Sequence, residues 1–286
     1  MHTQEPLSQA LKRLNSLPPI PRIAREILSL RINTDEGEQA LLALIEQDPP
    51  LLSRVIGLAN CPLFGLGRKI VRLRDAAAVL GSKRVKMVAL SFAMLSSVIT
   101  DRPAGRLDVQ HLWQHSLSVA MAMDTLARHM PPKLRPPEDE IYLAGLLHDI
   151  GFLVLNYLAP ELSDQFHARL AAEPSRPVEE LEAEMLETSH SELGAALARH
   201  WNLPESIVSV LKLHHAPLPD RTAAEQPLVG LANLAEKLLP TFGIAEPVQM
   251  EGLDEEWQAL GIDPGRADEI EAKLEEHIRK LSAIAA

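Results

Sequence analysis

His148 and Asp149 stand side by side in Leu146-Leu147-His148-Asp149-Ile150-Gly151, at the end of the apolar run 141–147. Consecutive helical side chains point about 100° apart, so the pair does not share a helix face. Both can still bend toward one ion beside the helix. Imidazole with carboxylate suits manganese, iron or zinc. The plain alternative is a polar pair that closes a helix before Gly151. Further histidines are spread through the chain: His115 in Trp113-Gln114-His115-Ser116, His190, and the pair His214-His215. A later segment, Leu231-Ala232-Asn233-Leu234-Ala235-Glu236, brings an amide and an acid at helical spacing. Each histidine taken alone reads as a core residue with a hydrogen-bond partner. Taken in order, they could surround an ion.

The elements that must position these groups all read as helices. Apolar residues recur at helical spacing from Leu7 to Leu14, from Ile23 to Leu30 and from Leu41 to Ile45. Asp48-Pro49 has the form of an N-cap followed by proline at the first helical position. Gly81 has the form of a C-cap, and Asp108 caps a long helix that carries His115. Prolines at 131–132 and 136–137 bracket a loop before the helix leading to His148. Helices are expected over 178–187, 189–201, 204–213 and 228–239. An amphipathic helix follows from Asp263, with Ile270, Leu274, Ile278 and Leu281 on one stripe. No alternating strand pattern bounded by turns is present. The expected fold is an all-α helical bundle. Its N-terminal helical subdomain spans 1–100 and a second helical subdomain spans 101–240, divided near 100–105. A C-terminal helical extension covers 241–286.

With 286 residues, 46% of them apolar, the chain has ample material for a core. Its net charge of -11 disfavours general attraction to nucleic acid or to anionic membranes. One cysteine, Cys61, excludes an intrachain disulfide and reads as a small buried apolar residue. The start of the sequence has no signal pattern, and the run from Met87 to Thr100 is too short to span a bilayer. These features lead us to expect a cytoplasmic protein without membrane insertion. A basic stretch opposes the overall acidity: Arg68, Lys69, Arg72, Arg74, Lys83, Arg84 and Lys86. It reads as a solvated face, or as a docking surface for an acidic partner or a phosphate-bearing ligand. Aromatic interleaving suited to nucleic acid is absent from it.

The ordered motifs resemble the HDOD, or HD-related output domain, family of bacterial signalling proteins. They are Leu17-Pro18-Pro19-Ile20-Pro21, Gln47-Asp48-Pro49-Pro50-Leu51, Leu58-Ala59-Asn60-Cys61, Asp75-Ala76-Ala77 with Leu80-Gly81, His115-Ser116, Leu147-His148-Asp149-Ile150-Gly151, and His190 through His200-Trp201-Asn202-Leu203-Pro204 to His214-His215. The resemblance covers roughly 17–215. It implies an all-α fold related to HD and HD-GYP phosphohydrolases, with a regulatory rather than catalytic role. It also implies a metal set of His115, His148 and Asp149, to which His190, His214, His215 or Asn233 could be added. Asn233 falls where the relatives place a last aspartate, and an amide is a poorer ligand for a dication. Phe152 falls where related hydrolases carry a phosphate-binding lysine. The pair His214-His215 could equally serve the negative end of a helix dipole. Trp201 reads as a core residue with its indole nitrogen on a backbone carbonyl.

The sequence therefore reads as a signal-transduction output module with a degenerate HD-like site, which could hold manganese, iron or zinc. The expected partner is another signalling protein or a small phosphate-bearing ligand. Self-association into a homo-oligomer is compatible with the sequence. The alternative is a metal-dependent phosphohydrolase or cyclic-dinucleotide phosphodiesterase using His115, His148 and Asp149. A nucleic-acid binder acting through the basic stretch is the least favoured class.

Overall fold

The structure, a computed structural model, describes residues 17–61, 69–99, 105–216, 227–239 and 253–282. The expected helix at Leu7–Leu14, the loop at 100–104, Arg68 and the segment 217–226 lie outside the described residues. Among the described residues every regular element is a helix, as the periodicity indicates. The first five are α1 (Arg22–Ser29), α2 (Asp35–Glu46), α3 (Pro49–Ala59), α4 (Leu73–Leu80) and α5 (Ser82–Ser96). The central group is α6 (Val109–Ala127), α7 (Glu138–Leu147), α8 (Ile150–Leu158), α9 (Pro160–Ala172) and α10 (Val178–Met185). Next come α11 (His190–His200), α12 (Glu205–Leu213) and α13 (Pro227–Leu238). The last are α14 (Leu253–Ala259), a 3-10 turn at Pro264–Arg266, and α15 (Ala267–Ser282).

Local chemistry sets many of these boundaries. Asp48 accepts a hydrogen bond from Leu51 N at 3.0 Å, with Pro49 opening α3. Asp108 accepts from Gln110 N and His111 N at 2.9 and 3.1 Å. Gly81, at φ 83°, separates α4 from α5 in a backbone conformation that side-chain-bearing residues rarely adopt.

Helix α6 is the axis of the bundle. From His115 to Ala127 every side chain on it is buried. Helix α7 packs along it, α5 packs on α7, and α1 packs on α5. On the other side α8 lies against α11, which packs on α12, and α13 returns to α6. The close α6–α7 contact depends on Gly145. A Cβ there would stand 2.5 Å from Ala120 Cα, so the two backbones touch where a side chain would hold them apart. The buried apolar residues form one continuous cluster from Leu17 to Leu274. Trp201 donates its indole N–H to Pro18 O at 2.9 Å, tying the start of this cluster to the end of α11. Cys61 is buried, as its sequence context indicates.

Residues 138–158 form the one described stretch long and apolar enough to cross a membrane, which the count of uncharged residues passes over. It is broken into α7 and α8 at His148-Asp149, and 83% of its most apolar window is buried inside the bundle. Three residues of the basic stretch make contacts within the fold. Lys83 meets Glu138 at 3.6 Å, Arg84 meets Asp124 at 3.4 Å, and Lys86 donates to Leu30 O at 2.7 Å at the end of α1. Lys69, Arg72 and Arg74 remain exposed.

Candidate metal centre

The chain breaks helical geometry at Asp149, whose φ of -98° and ψ of 14° separate α7 from α8. That break lets consecutive side chains reach one point. Close packing then brings the next helix in. A Cβ on Gly151 would lie 1.8 Å from His190 O, so only glycine lets α8 meet the start of α11 this closely.

Seven side chains converge between α6, α7, α8, α11, α12 and α13. His148 Nε2 lies 3.1 Å from Asp149 Oδ2, 3.2 Å from His115 Nε2 and 2.8 Å from Glu236 Oε1. His115 Nε2 lies 3.1 Å from Glu236 Oε1 and 3.4 Å from Asp149 Oδ2. On the far side of the same carboxylate, Asp149 Oδ1 is 3.4 Å from His214 Nε2 and 3.7 Å from His190 Nε2. His190 Nε2 in turn stands 3.2 Å from both His214 Nε2 and His215 Nε2. The donors thus fall into two groups: His115, His148 and Glu236, and Asp149, His190, His214 and His215. Asp149 sits between them.

The outward nitrogens decide which inward lone pairs are bare. His148 Nδ1 donates to Gly145 O at 2.8 Å, and His214 Nδ1 donates to Val210 O and Leu211 O at 3.1 Å. His190 Nδ1 donates to the Glu182 carboxylate at 2.7 Å, and Glu182 also accepts from His190 N. When these rings are neutral, each turns an unprotonated Nε2 inward, the arrangement that carboxylate and carbonyl partners give to metal-bound histidine. Bare lone pairs at 3.2 Å repel one another unless a proton or a cation lies between them. Asp149 is fully buried, has imidazole nitrogens around both oxygens, and yet accepts no well-directed hydrogen bond. Ligands roughly 2.1 Å from a shared ion stand roughly 3.0–3.5 Å apart, close to the 2.8–3.7 Å spacings seen here. The residues present fit a divalent transition ion.

The electrostatics point the same way. Burial disfavours the charged form of His148, but the neighbouring Asp149 and Glu236 carboxylates outweigh it and raise its pKa well above the usual imidazole value. Burial likewise opposes ionisation of Asp149 and Glu236, yet the surrounding histidines hold both well below the usual carboxylate range. Burial pushes His214 and His215 down, so these two are neutral and available as donors. Two inward carboxylates surrounded by imidazoles match the charge of a dication, which displaces the protons that otherwise separate these groups.

The sequence reading is thus refined at two positions. Asn233 turns its amide N–H donors to His214 O at 2.7 Å and Ala216 O at 3.4 Å, and so braces the backbone that presents His214. Glu236, one helical turn further along α13, brings its carboxylate to His115 and His148. The signal was present as an acid three residues after Asn233 on one helix face. Phe152 is fully buried and stacks on the His190 ring, with centroids 4.3 Å apart and planes 14° apart. It closes that side of the site.

An all-α bundle that presents a histidine, an adjacent His-Asp pair and a returning acidic helix around one buried point has an HD-type architecture. The chain matches the model of the HDOD domain over residues 17–217 and belongs to that family. It is 27% identical over 233 residues to an uncharacterized protein of Treponema pallidum (strain Nichols), covering 79% of this chain and 43% of the relative. A Marinobacter aquaeolei VT8 crystal structure, provisionally described as a signal transduction protein, superposes with a TM-score of 0.75 at 26% identity. That match covers 100% of this chain and 61% of the other. An HDOD domain protein of unknown function from Geobacter sulfurreducens gives a TM-score of 0.71 at 26% identity, covering 95% of this chain and 97% of that one. The chain thus spans less than two thirds of the Treponema and Marinobacter proteins.

Proposed function

We propose that this chain is a signalling output module whose buried His/Asp/Glu centre holds a divalent metal ion as part of its fold, without turning over phosphoesters. The observation that carries this reading is the burial of the centre. His148, Asp149, His190 and His214 are fully buried, His115 and Glu236 nearly so, and His215 is half-buried. A phosphoester must reach a metal-bound water, and a catalytic site keeps an open coordination position for it. Here Phe152 packs on His190 where a phosphate-binding cation would stand, and a phenyl ring donates no hydrogen bond to an anion. The name of the Marinobacter relative and the family membership favour a role in signal transduction. The ion, when bound, would supply Lewis acidity and a fixed positive charge. Either donor group, His115, His148 and Glu236 or Asp149, His190, His214 and His215, would hold it. Glu182 would fix the ring of His190, and Asn233 would hold the backbone of His214.

The alternative is a metal-dependent phosphohydrolase, favoured by the presence of Glu236, which restores the carboxylate that Asn233 lacks. Metal analysis of the purified protein, followed by assays with a generic phosphodiester, nucleotides and cyclic dinucleotides after loading with manganese, iron or zinc, separates the two. Bound metal with no turnover supports the output module. Turnover that vanishes in His148→Ala or Asp149→Ala establishes the hydrolase.

A further inference from the structure

A second site lies beside the metal centre and outside it. Helices α3, α5, α6 and α8 enclose a pocket of about 50 Å³ lined by Phe92, Leu112, Trp113, Ser116 and Leu153, with Arg54 on its wall. The lining is apolar except for the Ser116 hydroxyl and the Arg54 guanidinium. Arg54 is exposed, and its guanidinium lies over the Phe92 ring at 4.9 Å from the centroid. Phe92 meets Trp113 edge-on at 5.5 Å and 84°. These ring contacts hold the cation at the pocket. Among the described residues no carboxylate pairs with it. Wall residue Ser116 directly follows His115, and Ile150, which also lines the pocket, directly follows Asp149.

Size and charge limit what fits. A water-sized group needs roughly 10–15 Å³ of such space, so the pocket takes roughly three to five groups in a row. That is a short aliphatic tail and is too small for a nucleotide. A planar guanidinium fork at the wall is matched by a planar two-oxygen anion, which it binds through two parallel hydrogen bonds. We propose that this pocket binds a short aliphatic carboxylate, with the tail among Leu112, Trp113 and Leu153 and the carboxylate on Arg54. The pocket stands on geometry independent of the metal reading, and either can fail without the other.

The test uses the full-length protein and 3-methylbutanoate as the probe, with 3-methylbutanol as its uncharged counterpart. The Trp113 indole signal, assigned by comparison with a Trp113→Phe variant, is followed by NMR. Saturable movement of that signal is expected in the millimolar range, as suits a ligand of so few atoms. In Arg54→Ala, an exposed position, carboxylate affinity should fall about tenfold or more while the alcohol binds as before. Ser116→Leu should fill the pocket and abolish binding of both probes, with helicity and melting checked alongside. Absence of saturation by the carboxylate overturns the proposal, as does equal carboxylate affinity in Arg54→Ala. So does movement of the signal only with a leucine-containing acidic peptide, which would mark a protein-docking surface.

Discussion

Glu236 Oε1 stands 2.8 Å from His148 Nε2, although the two residues come from helices far apart in the sequence. The contact closes one group of donors, because His115 reaches the same oxygen at 3.1 Å. Glu236→Gln keeps the shape and removes the charge. Metal affinity, measured by competition with a chelator, should fall at least about tenfold. Asn233→Asp should not rescue it, since that side chain faces the carbonyls of His214 and Ala216. Unchanged affinity in Glu236→Gln would remove Glu236 from the centre.

Asn233 should behave as a structural residue. Asn233→Ala leaves the buried His214 carbonyl without its donor, at a cost of about 1–3 kcal/mol. Urea unfolding of the metal-free protein reads this loss directly. A variant as stable as the parent would show that the bond contributes nothing.

Gly151→Ala tests the approach of α8 to α11. The added methyl group cannot coexist with His190 O at 1.8 Å, so the helices must separate. The expected result is a loss of about 1–3 kcal/mol or more in stability, together with loss of bound metal. Full stability with full metal content would contradict the contact.

The C-terminal helix packs its apolar stripe on α6, with Ile270 and Leu274 buried and Ile278 half-buried. Deleting the chain after Gly261 removes two large buried side chains and bares the surface they cover. Each is worth about 1.5–3 kcal/mol, so a lower melting temperature or a changed oligomer should follow. A truncated chain identical to the parent in both would refute the packing.

His167 supplies a pH test away from the metal donors. Its Nδ1 donates to Ser163 O at 2.7 Å, and its buried Nε2 has no partner. Burial therefore lowers its pKa below the unfolded value near 6.5. The unfolded chain takes up a proton that the native chain refuses, so stability falls as pH drops below about 6.5 and is unaffected above it. The stability of the parent relative to His167→Phe should decline over that acidic window. A pH-independent difference between the two proteins would rule this out.

Much of the fold was legible because helix periodicity and end chemistry are local. Asp48, Asp108 and Gly81 perform the capping roles that their neighbours in sequence suggest. His115, His148 and Asp149 come together as their order suggests, and His190, His214 and His215 join them. What the sequence hid depends on helix rotation and on distance through space. Asn233 and Glu236 share one buried face of α13, and the choice between them turns on which part of the bundle each meets: Asn233 the carbonyl of His214, Glu236 the imidazoles of His115 and His148. The role of Glu182 behind His190 follows from a tertiary contact with no local mark. Phe152 could be read as a missing cation, but its stacking on His190 is set by how α8 meets α11.

Residue 217 ends the region matched to the family, yet Glu236 lies beyond it on α13. Lys237, the next residue, is clamped by Glu256 of α14 at 2.8 Å, with both side chains largely shielded. The cage thus borrows one wall from a part of the chain that the shared domain does not define. Anyone excising the domain at its homology border would keep six of the seven donors and lose the one that α14 holds in register. Such a fragment could be misread as a natural loss of metal, when the loss belongs to the scissors.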